Sequence, residues 1–163
     1  MNVQFITAVL ISFFVIILST EATVVRKCQG NNYKQLSDVD VTISNCKKGR
    51  CRLRKNTKVS IQMNIQPDHD VKKLRTSVSA VILGVPLPFI GVDGTSACNN
   101  LYEEDGVTKT QCPLKAGQKY VYKNAFDVLP VYPTIAALDV HWALTESDNK
   151  DLVCFEIPAK ITT

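Results

Sequence analysis

The chain has 163 residues, 45% of them hydrophobic, with 19 Lys and Arg against 15 Asp and Glu and a formal net charge of +4. That length suits one domain with a sizeable core. So modest a charge, with no basic stripe interleaved by aromatics, sets nucleic acid aside as a partner.

Val3 to Leu18 is almost wholly apolar and ends in Ser19-Thr20-Glu21-Ala22, with small residues at −3 and −1 of a cut after Ala22. This is the pattern of a secretory signal peptide over 1–22, and the run is short for a spanning helix. Residues 23–163 then form one secreted domain that holds all six cysteines. An even count in an exported chain predicts three disulfides. Spacing favours Cys46 with Cys51, across Lys47-Lys48-Gly49-Arg50, and Cys98 with Cys112, which bracket one polar loop; Cys28 and Cys154 remain to clamp the chain ends. Zinc is disfavoured because no two cysteines stand in a C-x-x-C spacing. No metal is expected.

Past the leader the apolar pattern has period two. Val39, Val41 and Ile43 open it, followed by Val59, Ile61, Met63 and Ile65, then Val78, Ala80 and Ile82. Tyr120 and Tyr122 make a short case, Ala136, Leu138, Val140, Trp142 and Leu144 a long one, and Val153, Phe155 and Ile157 close the set. Turn signals such as Lys48-Gly49, Pro67-Asp68, Asp93-Gly94 and Ser147-Asp148-Asn149 divide these runs, and no stretch of helical length carries a 3.6-residue stripe. About seven strands in a disulfide-bonded chain predict an all-β, immunoglobulin-like sandwich.

No catalytic set stands out. There is no H-E-x-x-H helix, G-x-S-x-G elbow or phosphate-cradling glycine loop. His141 reads as solvent-facing, His69 as part of the turn Pro67-Asp68-His69-Asp70, and Glu103, Glu104 and Asp105 as a solvated loop. An enzyme is not expected. Two other features ask for an explanation. Residues 47–55 pack Lys47, Lys48, Arg50, Arg52, Arg54 and Lys55 around one cysteine. This is either a solvated hairpin edge or a docking patch for an anionic membrane or partner. The second feature is a pair of apolar runs broken by prolines, Val85-Pro86-Leu87-Pro88-Phe89-Ile90 and Leu129-Pro130-Val131-Tyr132-Pro133. Prolines keep such runs out of a sheet interior. Side by side at one end of a sandwich, the two would make an apolar mouth for an apolar ligand.

Several stretches resemble a known family: Gly84-Val85-Pro86-Leu87-Pro88-Phe89, Cys112-Pro113-Leu114-Lys115 with Lys119-Tyr120-Val121-Tyr122, Tyr132-Pro133-Thr134-Ile135, Val140-His141-Trp142-Ala143-Leu144, and Leu152-Val153-Cys154-Phe155-Glu156-Ile157-Pro158. Together with the order of the six cysteines, they resemble the ML (lipid-recognition) domain family, in its Niemann–Pick C type 2-like branch, over the whole of 23–163. The resemblance implies two sheets splayed around an apolar cavity that holds one sterol or fatty lipid, and the same disulfide pairing that spacing favours. It implies a mouth framed by Phe89, Val131 and Tyr132 and a tunnel lined by Trp142 and Phe155. Val85 and Leu87 of the rim, with Tyr120 and Tyr122, complete the expected ligand-binding set.

The chain also departs from the family pattern. Phe155 stands where a second tryptophan is usual, Val131 and Tyr132 are adjacent rather than spaced, and the Cys98–Cys112 loop is long. No N-x-[ST] acceptor is present, which favours extracellular carriage over glycan-sorted delivery to lysosomes. The expectation is a monomeric, cofactor-free carrier of a sterol, fatty acid or semiochemical. The alternative is a lipid-sensing innate-immunity module of the same family, with Arg50, Arg52 and Arg54 gripping a phosphorylated headgroup.

Overall fold

A computed structural model describes residues 25–28, 34–35, 40–47 and 49–163. The leader-like segment 1–22, Val39, Lys48 and the side chain of Lys47 lie outside the described residues. Among the described residues there are twelve strand segments: β1 (Lys34–Gln35), β2 (Val41–Ile43), β3 (Cys46–Lys47), β4 (Arg50–Arg54), β5 (Lys58–Ile65), β6 (Leu74–Ile82), β7 (Val85–Pro88), β8 (Leu101–Glu103), β9 (Lys109–Thr110), β10 (Tyr120–Asp127), β11 (Ile135–Glu146) and β12 (Asp151–Thr162). They form two sheets. The larger runs β3-β4-β12-β11-β6-β7, with β1 also paired to β12, and the smaller runs β2-β5-β10-β8-β9.

Alternation does what the sequence asks of it. Along β5 every second residue is buried, so Val59, Ile61, Met63 and Ile65 face the core while Lys58, Ser60, Gln62 and Asn64 meet water. β4 behaves alike, with Cys51 and Leu53 inward and its three arginines outward. Full burial of each Val, Leu or Ile contributes about 1.5–3 kcal/mol. These inner faces supply most of the single large core. The three disulfides are Cys28–Cys154, Cys46–Cys51 and Cys98–Cys112, as spacing favours.

Ala136 differs from its expected inward place. The pairing of β11 with β12 shifts register between Ile135 and Leu138, and this bulge turns Ala136 to solvent and tucks Ile135 against the core. β7 is an edge strand, paired only to β6 among the described residues. That position lets Pro86 and Pro88 lack N–H groups without orphaning a neighbour. Leu83 and Gly84, both at positive φ, make the two-residue turn before it.

The opposite end of the sandwich is tied by a polar latch. His69, in the β5–β6 turn, places Nδ1 2.5 Å from Asp68 Oδ1 and Nε2 2.9 Å from Glu146 Oε1 at the end of β11. Both ring nitrogens can donate only in the imidazolium form. These bonds, Glu146 foremost, raise the His69 pKa above 6.5. A raised folded-state pKa means that the contribution is complete below pH 6.5 and fades as pH climbs through the folded value. His69→Gln is therefore expected to lower the melting temperature at pH 5.5 and to match the parent at pH 8.5. A loss of equal size at both pH values would show that the charge plays no part.

Candidate functional site

One end of the sandwich collects the apolar loops. β6, β10 and the mixed turn 54–58 finish there, β11 begins there, and Val128 exchanges backbone hydrogen bonds with Asn56 and Thr57. Five large apolar residues are exposed at this end: Leu83 (100%), Val131 (72%), Ile90, Val85 and Leu87. Leu87 pairs with the inward-facing Ala80, and Val85 with Ile82. Paired residues share a face of the sheet. Val85 and Leu87 thus lie on the inner-facing side of the edge strand, yet remain exposed.

Phe89 is the exception among these rim residues. Its side chain is only 4% exposed. The loop folds it inward through several bonds: its N–H donates to Val78 O at 3.0 Å, its carbonyl accepts from Val92 and Asp93, and Val78 N–H donates to Asp93 Oδ1 at 2.8 Å. Gly91 supplies the positive φ of +79° that this reversal needs.

The two proline-broken loops are stitched together. Ile90 N–H donates to the Tyr132 hydroxyl at 3.0 Å, and the Phe89 and Tyr132 rings meet edge to face at 5.7 Å. The contact continues inward, with Phe89 5.8 Å from Phe126 and Phe126 5.6 Å from Trp142. Four rings therefore run from the half-buried Tyr132 to a fully buried tryptophan. Each such contact adds about 0.5–1.5 kcal/mol beyond area burial. Phe126 was not in the expected set; the period of Tyr120 and Tyr122 continues to it, but Lys123-Asn124 interrupts the apolar signal. An open groove of about 520 Å³ passes beside this row, bounded by Ile90–Val92, Asn100, Asn124–Asp127 and Leu129.

Trp142 and Phe155 are cross-strand partners and both are buried. Trp142 Nε1 has no acceptor among the described residues. Tyr122 is buried as well, and burial pushes its hydroxyl pKa well up, so the phenol stays neutral; its oxygen accepts from Asn124 Nδ2 at 2.8 Å. Tyr120 is buried at the far end of β10, where its hydroxyl accepts from Lys115 N–H at 2.9 Å. Of the expected residues, Phe89, Val131, Tyr132, Val85 and Leu87 gather at the open end, Trp142, Phe155 and Tyr122 are buried behind them, and Tyr120 lies apart at the opposite end of β10.

His141 does face outward, packed over the Cys28–Cys154 bridge with Nε2 3.5 Å from Cys154 Sγ and Nδ1 3.4 Å from Glu156 Oε1. Both sulfurs are committed to the disulfide, so these side chains offer no thiolate to a metal.

The ML domain model matches residues 22–161. The chain belongs to the ML domain family. Among its relatives is the ecdysteroid-regulated 16 kDa protein of Manduca sexta, 34% identical over 151 residues that cover 93% of this chain and 97% of the relative. The NPC intracellular cholesterol transporter 2 homolog a of Drosophila melanogaster is 33% identical over 123 residues, 74% of this chain and 77% of that one. A crystal structure of a Niemann-Pick type C2 protein from Japanese carpenter ant superposes with a TM-score of 0.69 at 27% identity, covering 85% of this chain and 99% of the ant chain. The β-sandwich predicted from the strand pattern, in the ML family that the sequence resemblance indicates, is thus the fold of the chain.

Proposed function

We propose that the chain is a secreted carrier of one apolar small molecule, a sterol, fatty acid or similar compound, held between the sheets behind the mouth. The observation that carries this reading is the ring row Tyr132–Phe89–Phe126–Trp142, which starts under an exposed apolar rim and ends in the core. Phe89, Val131, Tyr132, Val85 and Leu87 form the rim, and Trp142, Phe155, Tyr120 and Tyr122 receive the ligand. The relatives named for cholesterol transport support the same assignment. Several hundred Å² of buried ligand surface at about 25 cal/mol/Å² supplies up to about 10 kcal/mol before ordering costs. A leader over 1–22 and the three disulfides fit delivery outside the cell.

The test is native mass spectrometry of the secreted protein, with extraction of bound lipid and reloading with cholesterol or oleic acid. One lipid per chain is expected, and Phe89→Ala should bind about tenfold more weakly because an aromatic anchor at the mouth is lost. A protein that leaves the cell empty and takes up neither compound would sink the carrier reading.

A further inference from the structure

The outer face of β4 remains unused by the mouth. Arg50, Arg52 and Arg54 all project from it, while the residues between them face the core. β12 runs parallel beside it and sets Lys160 next to Arg52. Together with Asn45 and Thr57, these four cations line an open groove of about 640 Å³ in which no carboxylate of the described residues takes part. Among the described residues none of the four has an ion-pair partner.

Alternate residues of a strand lie about 6.6 Å apart and neighbouring strands about 4.8 Å apart. Both spacings fall within the Debye length of about 8 Å at physiological salt. The four charges therefore repel one another, and like charges side by side on a sheet are destabilising. An anion that bridges them relieves that cost. Guanidinium forks match the oxygens of sulfate and phosphate esters in bidentate geometry.

We infer that this groove binds a linear sulfated polysaccharide. The row of arginines spans about 13 Å along the strand, which suits a chain carrying repeated anions rather than one headgroup. Among the described residues no aromatic side chain lines the groove, so single-stranded nucleic acid lacks its stacking platform there. A membrane is disfavoured by direction. The apolar rim faces along the strand axes, whereas the arginines point away from the sheet face, so a bilayer touching the rim reaches Arg54 and misses Arg50. The three disulfides place the protein where extracellular polyanions are met.

The experiment measures binding of a heparin fragment by anisotropy from 50 to 300 mM NaCl. Desulfated heparin, an unsulfated uronic-acid polymer, phosphatidylserine vesicles and a single-stranded oligonucleotide serve as competitors. The parent protein should prefer the sulfated chain. Arg50→Gln/Arg52→Gln/Arg54→Gln should bind it about 30-fold more weakly at 50 mM salt. The slope of log affinity against log salt should fall by about three, one for each lost contact. Lys72→Gln/Lys73→Gln/Lys109→Gln removes the same charge from exposed sites elsewhere and should bind within twofold of the parent. The side chains substituted in both triples are exposed, so melting temperatures should be unchanged; Arg52→Gln/Lys160→Gln, at one exposed and one half-buried position, provides a second, smaller removal. Equal losses in the control triple would overturn the inference. So would equal binding of desulfated heparin, or a preference for the vesicles or the oligonucleotide.

Discussion

Removing the Cys28–Cys154 bridge, as Cys28→Ala/Cys154→Ala, is expected to lower the melting temperature more than removal of either other disulfide. The bridge closes a sequence separation of 126, against 14 for Cys98–Cys112 and 5 for Cys46–Cys51. In the chain-entropy account these loops are worth about 5, 3 and 2 kcal/mol. The structure adds a reason for the ranking. Both sulfurs are buried, and the bridge fixes the 25–28 segment to β12. Without it, that segment keeps the packing of the half-buried Val25 on the core, two backbone bonds between Arg26 and Glu156, at 2.6 and 2.8 Å, and the exposed Arg26–Asp139 pair among its contacts. Backbone bonds of this kind contribute about 1 kcal/mol each and surface pairs less. A total stability of about 5–15 kcal/mol makes the loss severe, and a fall of roughly 15–20 °C follows for a domain of this size. Calorimetry of the three double variants decides it. If the Cys46–Cys51 variant melts lowest, loop length is not what governs these bridges.

The sequence made the sandwich legible because its strands obey period two where they are long. Val59 to Ile65 needed no tertiary knowledge, since alternation alone sets the buried face. Ala136 was misplaced because a bulge shifts the period by one, and nothing in Thr134-Ile135-Ala136-Ala137 announces it. Short pairs such as β1, β3 and β9 carry too few residues to show a period at all. The disulfide pairing was readable because two of the bridges span short loops and the remaining pair followed. What stayed hidden is non-local. His69 looked like a turn residue because its partner Glu146 lies 77 residues away. Likewise, proline content put two apolar loops on the surface, but only the fold shows Tyr132 joining them through Ile90. Phe126, lost behind two polar neighbours, became visible only through the rings on either side of it.

Trp142→Ala separates a packed core from a wall that meets ligand. Deleting a buried indole costs about 3–5 kcal/mol through lost transfer and the cavity left behind. Leu114→Ala removes an equally buried side chain near the opposite end, where Leu114 bridges Val71, and should cost about 2–5 kcal/mol. Stability alone therefore cannot tell the two positions apart. Ligand can. A saturating lipid at 100 times its Kd adds about 2.7 kcal/mol to the folded state. In the carrier reading Leu114→Ala keeps this increment, because its cavity lies away from the bound molecule. Trp142→Ala loses most of it, because the ligand forfeits the ring that Phe126 supports at 5.6 Å. Differential scanning calorimetry with and without oleic acid measures both increments in one series. Trp142 is the one tryptophan of the chain, so its emission in the parent protein reports the same contact independently and should shift on loading. An undiminished increment in Trp142→Ala, with no shift in the parent's emission, would make the tryptophan ordinary core and move the ligand toward Phe89 and the rim.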